Sequence, residues 1–337
     1  MARTWSGALL VVLLLAACAE GQVEDAAPPA DGVWVVPDGS DAASGGMLDP
    51  VATLQRAVEI AGPGGTVRLL PGRHHGSLRA EGLATITIKG EPGAILDGEG
   101  SEPLGIFCED CPGLIVEDLT ITGFTDIGVG VVDSDGVTLR RLVVHGNGTA
   151  AQLTDWEIEG YGIHIEGCTE VVIEDTEAWD NGPLPGGRFI LGTAINTYGN
   201  RGVVIRGNYA HDNRGAGILV EDSFDVVVEG NTITANDLDA TAEGWWDGAL
   251  WIDGGGQVTL RGNILRHNLG PAIQISDEDD QSPLGYRLTD NVVTDNDIGL
   301  YVWGFEVEGW PPEEVLEVSG NEISGNRKAD VVLTLLP

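Results

Sequence analysis

Apolar and polar residues alternate in short runs along most of this chain, and the runs repeat. A twelve-residue phrase returns without gaps as GVTLRRLVVHGN (Gly136 to Asn147), EVVIEDTEAWDN (Glu170 to Asn181), GVVIRGNYAHDN (Gly202 to Asn213) and DVVVEGNTITAN (Asp225 to Asn236). It continues as QVTLRGNILRHN (Gln257 to Asn268), GYRLTDNVVTDN (Gly285 to Asn296) and VLEVSGNEISGN (Val315 to Asn326), with a weaker copy, GLIVEDLTITGF, at Gly113 to Phe124. After the terminal Asn comes a second apolar run: GVGVVD at Gly128, GIHIEG at Gly162, AINTYG at Ala194, GILVED at Gly217, ALWIDG at Ala249, AIQISD at Ala272 and GLYVWG at Gly299. Period-two alternation of β-branched residues predicts two or three short strands per unit, with no helix between them. The shortest interval, Gly113 to Gly136, is about 23 residues, and longer intervals read as the same unit carrying an insertion. One such unit cannot bury its own apolar face, whereas a stack of them shares a continuous core.

Position seven of the phrase is Asn208, Asn231, Asn263, Asn291 and Asn321 in successive copies. Stacking would set these amides one above another, bonded along a turn as in cross-β ladders. The Asn columns therefore read as structural, and the His-Asp-Asn run at His211 as a turn in register. Before the repeats, Leu54, Ala57, Val58 and Ala61 form one apolar stripe, predicting a short helix begun by Asp49-Pro50 and ended by Gly62-Pro63. Such a helix covers the open end that every solenoid has.

On these repeats the chain resembles the right-handed parallel β-helices of the pectate-lyase-like class, including NosD-type and other carbohydrate-associated β-helix proteins. The stretch VWVVPDGSDAASGGMLDPVATLQRAVEIAGPGGTVRLLPGRHHG, Val33 to Gly76, resembles the opening segment of many secreted members. The resemblance implies an all-β fold: a single-stranded right-handed parallel β-helix with a short N-terminal capping helix. It is specific for fold and weak for activity, because that fold hosts lyases, hydrolases, epimerases, adhesins and binding proteins.

The apolar run from Ala8 to Ala17 is too short for a permanent membrane span and reads as the core of a signal peptide. It ends in Leu15-Ala16-Ala17-Cys18, which matches the bacterial lipobox, with Cys18 lipidated as the mature N-terminus. Ala19 after the Cys resembles lipoproteins sent to the outer membrane. The expected organisation is a signal peptide at 1–17, an acidic flexible tether at 18–31 and the β-helix domain at 32–337. Cys108 and Cys111 form a C-x-x-C able to close a small disulfide in an oxidising compartment. Cys168 falls at the same turn position as Cys111 two rungs away, about 10 Å at the usual strand spacing, too far for a disulfide.

The chain carries 17 Lys and Arg against 53 Asp and Glu, a formal charge of −36. Nothing clusters cations for phosphate, so nucleic acid is not an expected partner. The bland reading of the charge is solubility or adaptation to salt. The sharper one is calcium on stacked turns, although no D-x-D-x-D-G or G-G-x-G-x-D loop occurs and no metal ligand set is assigned. Only Lys89 and Lys328 are lysines, both outside the middle units, which weakens a lyase with a Lys base; Arg188 and Arg214 remain. The Asp-Pro-x-Asp motif of alginate epimerases is absent.

In GIHIEG the isoleucines belong inside, so His164 and Glu166 point outward. Carried through the stack, this register gives one outward column of Gly130, His164, Asn196, Leu219, Trp251, Gln274 and Tyr301. A second runs Val132, Glu166, Tyr198, Glu221, Asp253, Ser276 and Trp303. Both are expected to be exposed. Insertions at Gly148 to Gly160, Gly182 to Leu191 and Asp237 to Asp247 leave from one turn and should wall a groove, bringing Trp156, Arg188, Phe189, Trp245, Trp246 and Asp247. Another, Phe305 to Glu314, brings Trp310. Indoles stack on sugar rings while amides and carboxylates take hydroxyls. The candidate binding residues are thus Asn196, Tyr198, Trp245, Trp246, Trp251, Gln274, Tyr301, Trp303 and Arg188. Glu221, Asp253 and Glu166, with His164 relaying a proton to Glu166, are the catalytic candidates, since paired carboxylates suit glycoside cleavage.

Three readings stay open. The chain is an anchored polysaccharide-binding protein, a carbohydrate-active enzyme (hydrolase before lyase), or a structural or adhesive solenoid. It is expected as a monomer or in weak association through the apolar C-terminal edge from Val331 to Leu336.

Overall fold

The structure, a computed structural model, describes residues 31–150, 157–183, 189–237, 247–277, 285–303 and 315–333. Among them the chain winds through three parallel sheets of eleven, ten and ten strands. Each turn of the coil visits the first sheet, then the second, then the third, as in Thr66–Leu69, Gly72–His75 and Leu78–Glu81. Every neighbour in a sheet is the equivalent strand of the next coil, paired in parallel. The alternation of the phrase sets this: Val116, Leu139, Ile173, Ile205, Val228 and Leu260 are register partners in turn, all facing inward and fully buried.

The corners are closed by side chains. Asn208 Nδ2 donates to Asn231 Oδ1 of the next coil at 3.0 Å and to the Ile173 carbonyl of the previous one at 3.0 Å. The pattern repeats through Asn231, Asn263, Asn291 and Asn321. The terminal Asn of the phrase builds a second ladder, from Asn147 through Asn181, Asn213, Asn236, Asn268 and Asn296 to Asn326. A mixed column closes the third corner: the backbone N–H groups of Cys111, Ser134, Cys168 and Asn200 donate to Ser134, Cys168, Asn200 and Ser223 side chains respectively. Cys168 thus sits two coils from Cys111, and Cys108, Cys111 and Cys168 are all buried free thiols, so the C-x-x-C is not closed as a disulfide. His211 ends a strand and stacks on Tyr209 at 4.1 Å, followed by Asp212 at positive φ, the turn expected there.

The helix α1 spans Leu54–Ala61, buries the four stripe residues, and ends at Gly62 with φ 61°. Its start differs from the expectation. Thr53, not Asp49-Pro50, is the cap: its hydroxyl accepts from Arg56 N, and the Asp41 carboxylate holds both the Thr53 hydroxyl and the Ala52 and Thr53 N–H groups. Asp49 instead takes the Ser44 N–H and hydroxyl. At the other end nothing among the described residues follows the last coil, and Val318, Val331 and Leu333 are about half exposed.

Outward on the first sheet, register partners alternate in charge: Lys89, Glu117, Arg140, Glu174, Arg206, Glu229, Arg261. Ion pairs join them, including Lys89–Glu117 at 3.0 Å, Arg140–Glu117 at 2.6 Å, Arg206–Glu174 at 2.5 Å and Arg261–Glu229. Four of the 17 cations stand on this one line.

Candidate functional site

The insertions locate the site before its chemistry does. From first to second sheet the coil passes by short corners in each described turn. In sequence, the segments 151–156, 184–188 and 238–246 precede third-sheet strands, and 278–284 and 304–314 follow them. Cys18, Trp156, Arg188, Trp245, Trp246 and Trp310 lie outside the described residues.

The pairing of the third sheet gives the two expected columns. Gly130, His164, Asn196, Leu219, Trp251, Gln274 and Tyr301 are successive register partners. So are Val132, Glu166, Tyr198, Glu221, Asp253 and Ser276, and Trp303 follows Val302 at the end. Accessibility is where the expectation fails. Asn196, Leu219, Trp251 and Gln274 are only 2 to 4 % exposed, and Ser276 is fully buried. Alternation fixes which side of a sheet a residue faces, not whether that side is open. Leu219 and Trp251 pack with Ala216 in an apolar cluster of their own, separate from the main core. The first column is therefore a floor. The second is the accessible line, with Tyr198 39 % exposed and Glu166, Glu221 and Asp253 part-exposed.

Trp251 is consequently no open shelf for a sugar ring. Its indole Nε1–H donates to Ser276 Oγ at 2.7 Å, and Ser276 Oγ–H donates to Asp253 Oδ1 at 2.7 Å. The buried indole thus orients a carboxylate of the accessible line through one hydroxyl. Ser276 was placed in the column by register, but its bond to Asp253 is not readable from alternation.

His164 is held in a comparable chain. Asn196 Nδ2 lies 3.1 Å from His164 Nδ1, and His164 Nε2 lies 3.4 Å from Glu166 Oε2. An amide N–H facing Nδ1 requires that nitrogen to accept, so the ring proton sits on Nε2 toward Glu166. Burial depresses the His164 pKa below its ordinary value, against the opposing pull of Glu166 and Asp126. Tyr161 stacks on the ring at 4.9 Å and its hydroxyl donates to Glu159 at 2.6 Å.

Glu221 and Asp253 are direct register partners on adjacent coils, about 4.8 Å apart in backbone. Glu166 stands two coils from Glu221 with Tyr198 between them. Beyond the third corner, Tyr286 O–H donates to the Gly254 carbonyl at 2.8 Å, and burial together with Asp277, Asp253 and Asp222 pushes its pKa up. Among the described residues no three His, Cys, Asp or Glu side chains are arranged to hold a metal ion. Asp247 is nearly buried, its Oδ2 over Gly215. What the arrangement offers is a line of carboxylates, one serviced by Ser276 and one by His164, above a floor of amides and apolar side chains.

The family profile described as "Right handed beta helix region" matches residues 104–284 and 192–334. Among solved structures the chain is similar to pectate lyase Pel9A, at 14 % identity and a TM-score of 0.60, over 87 % of this chain and 78 % of that one. It is similar also to an alginate lyase from Paenibacillus sp. str. FPU-7, at 16 % identity and 0.52, over 81 % and 93 %. A third is full-length tailspike protein 2 of an Escherichia coli O157:H7 bacteriophage, at 11 % identity and 0.56, over 88 % of this chain and 40 % of that one. No curated protein matches the chain.

Proposed function

The chain belongs to the right-handed β-helix family, and from that premise we propose that it is an exported, lipid-anchored protein that binds a polysaccharide along the outer face of its third sheet. One observation carries the reading: the insertions all adjoin strands of that sheet in sequence, and its outer face carries the line Glu166, Tyr198, Glu221, Asp253 beside Trp251 and two buried amides. A line of that length along the helix axis suits an extended polymer better than a small molecule. The fold is shared with proteins named for pectate and alginate cleavage, which agrees with a polysaccharide ligand without fixing which one. Anchoring rests on Leu15-Ala16-Ala17-Cys18, and the acidic stretch to Asp31 supplies the tether to an outer-membrane site.

A hydrolase is the second reading, favoured by one specific contact. Ser276 orients Asp253, whose register partner on the adjacent coil is Glu221, and two carboxyl groups on neighbouring coils suit the close pair that retaining glycosidases use.

Polysaccharide binding by the full chain, followed by titration of its tryptophan fluorescence, tests the first reading, and reducing-end release tests the second. Saturable binding that survives in Asp253→Asn supports a binding protein. Release of reducing ends that disappears in Asp253→Asn supports the hydrolase. No saturable change with neutral or acidic polysaccharides removes both. Cys18→Ser should move the chain from the membrane fraction to the soluble one, and unchanged membrane retention would end the anchor assignment.

A further inference from the structure

The floor of the third sheet holds polar atoms with no protein partner. Asn196 Oδ1, Gln274 Oε1 and Thr193 Oγ1 are all buried and unbonded, in side chains 2 %, 2 % and 1 % exposed. An unmet acceptor in such a place carries the full desolvation penalty of the group. Three of the buried unbonded atoms lie on this one sheet, whereas the corner asparagines are bonded on every side.

The orientation of Asn196 is imposed by its neighbours. His164 Nε2 faces the Glu166 carboxylate and carries the ring proton, so Nδ1 accepts, and a flipped Asn196 amide would set a carbonyl oxygen against it. Gln274 lies across Gly248, where a Cβ would stand 2.4 Å from Gln274 Cβ and 3.3 Å from its Oε1. Any larger residue at 248 would push the glutamine aside. Thr193 is the register partner of Tyr161, whose ring packs on His164. Asn196, Leu219, Trp251 and Gln274 occupy four successive coils, so the two amides stand about 14 Å apart along the axis. That is the reach of a short oligosaccharide, with the apolar pair Leu219 and Trp251 between its ends.

We infer that this face is built for an uncharged, hydroxyl-rich sugar chain whose hydroxyls donate to Asn196 Oδ1 and Gln274 Oε1, and that it discriminates against uronates. The inference rests on the polysaccharide reading above and narrows it. The orphaned amide atoms are acceptors and require donors. The neighbouring line supplies Glu166, Glu221 and Asp253, and no described strand of the third sheet after Arg79 contains Lys or Arg. A sugar carboxylate laid here would meet like charge and lone pairs, with no cation on those strands to balance it. Neutral hydroxyls meet the same atoms as donors. Because the amide oxygens are buried, binding has to displace neighbouring side chains, Trp251 with its bond to Ser276 among them.

The test is calorimetry and Trp fluorescence on the full chain with two sets of probes: cellohexaose, xylohexaose and mannohexaose, then hexagalacturonate and hexamannuronate. The expected result is binding of a neutral hexasaccharide with uronates at least about tenfold weaker. Gln274→Met, which keeps the shape and deletes the orphaned acceptor, should weaken that binding about tenfold while leaving Tm unchanged or raised. A uronate bound in preference, above all one lost in Arg188→Gln, overturns the inference and leaves the polysaccharide reading standing. No binding of any hexasaccharide overturns both. If Gln274→Met lowers Tm and leaves affinity unchanged, the amide is structural and the inference fails.

Discussion

The first and third sheets are built from the same repeat, yet their outer faces treat charge in opposite ways. On the first, Lys89, Glu117, Arg140, Glu174, Arg206, Glu229 and Arg261 alternate, so each carboxylate has a cation on the next coil. On the third, the equivalent line runs Glu166, Tyr198, Glu221, Asp253 and Ser276, where His164 faces Glu166, and Ser276 bonds Asp253 while taking an indole N–H. With 17 cations for 53 acids, the chain cannot neutralise every face. It alternates cations with acids on the first sheet and leaves the described third-sheet strands after Arg79 without Lys or Arg. A face that is only solvated has no reason to differ in this way, whereas one that receives a ligand does.

The largest contrast should come from the corners both faces share. Asn263 Nδ2 donates to the Val228 carbonyl and to Asn291, and its Oδ1 accepts the Asn231 N–H and Nδ2. Asn263→Leu orphans several of these buried groups at once and is expected to cost about 3–5 kcal/mol, read from the urea midpoint with unchanged slope. A loss below about 1 kcal/mol would show that the corners relax freely and that neither face depends on them.

On the third sheet alone, Trp251→Phe keeps the apolar contact with Leu219 and Ala216 but removes the donor to Ser276. The expected cost is about 1–2 kcal/mol, with a change in polysaccharide affinity or in its pH dependence, because Ser276 also bonds Asp253. A variant as stable as the parent, with unaltered binding, would detach the indole from the site.

Acid should separate the two faces in order. His164 has its pKa lowered from 6.5 by burial, so the unfolded chain takes up that proton first. The stability its neutral form contributes is complete above about 6.5 and is lost as pH falls through the depressed folded value. Glu117 differs. Burial alone would raise it, but hydrogen bonds from Lys89, Arg140 and Arg141 bring its pKa below 4.5. Its contribution is full above about 4.5 and is lost only as pH falls through its own lowered value. Unfolding free energy measured against pH should therefore show a smaller upper phase in His164→Gln, to which buried His74 and half-buried His145 also contribute, and a smaller lower phase in Glu117→Gln, which Asp118 and Asp297 share. One merged transition, insensitive to His164→Gln, would contradict the burial argument.

Much of this was legible in the chain. The twelve-residue phrase carries the strands, the inward columns and both Asn ladders, because stacking in register turns a sequence period directly into contacts. The charge alternation was legible too: the fifth position reads Arg140, Glu174, Arg206, Glu229, Arg261 in consecutive copies. Trp251 and Gln274 were placed on the correct side but expected in the open, since alternation says nothing of what lies over a face. The start of α1 was missed for a local reason: the cap depends on Asp41, eleven residues before Ala52 and remote in pattern. The orphaned atoms of Asn196, Gln274 and Thr193 left no sequence signal, because an unmet hydrogen bond is a property of neighbours in space.

The smallest effect should be the most diagnostic of the comparison. Arg140 pairs with Glu117 at 2.6 Å, its own side chain 36 % exposed and that of Glu117 8 %. Lys89 and Arg141 also bond Glu117, so Arg140→Gln leaves that carboxylate with two cations. The expected loss is about 0.5 kcal/mol, and it should shrink as salt is raised toward 1 M, since part-exposed pairs are screened. Binding on the third sheet should not change, because Arg140 lies on another face of the coil. A loss above about 2 kcal/mol that ignores salt would make the ladder a framework equal to the asparagines. Altered polysaccharide affinity in the same variant would mean that the two faces communicate. Either result would remove the division of labour between them.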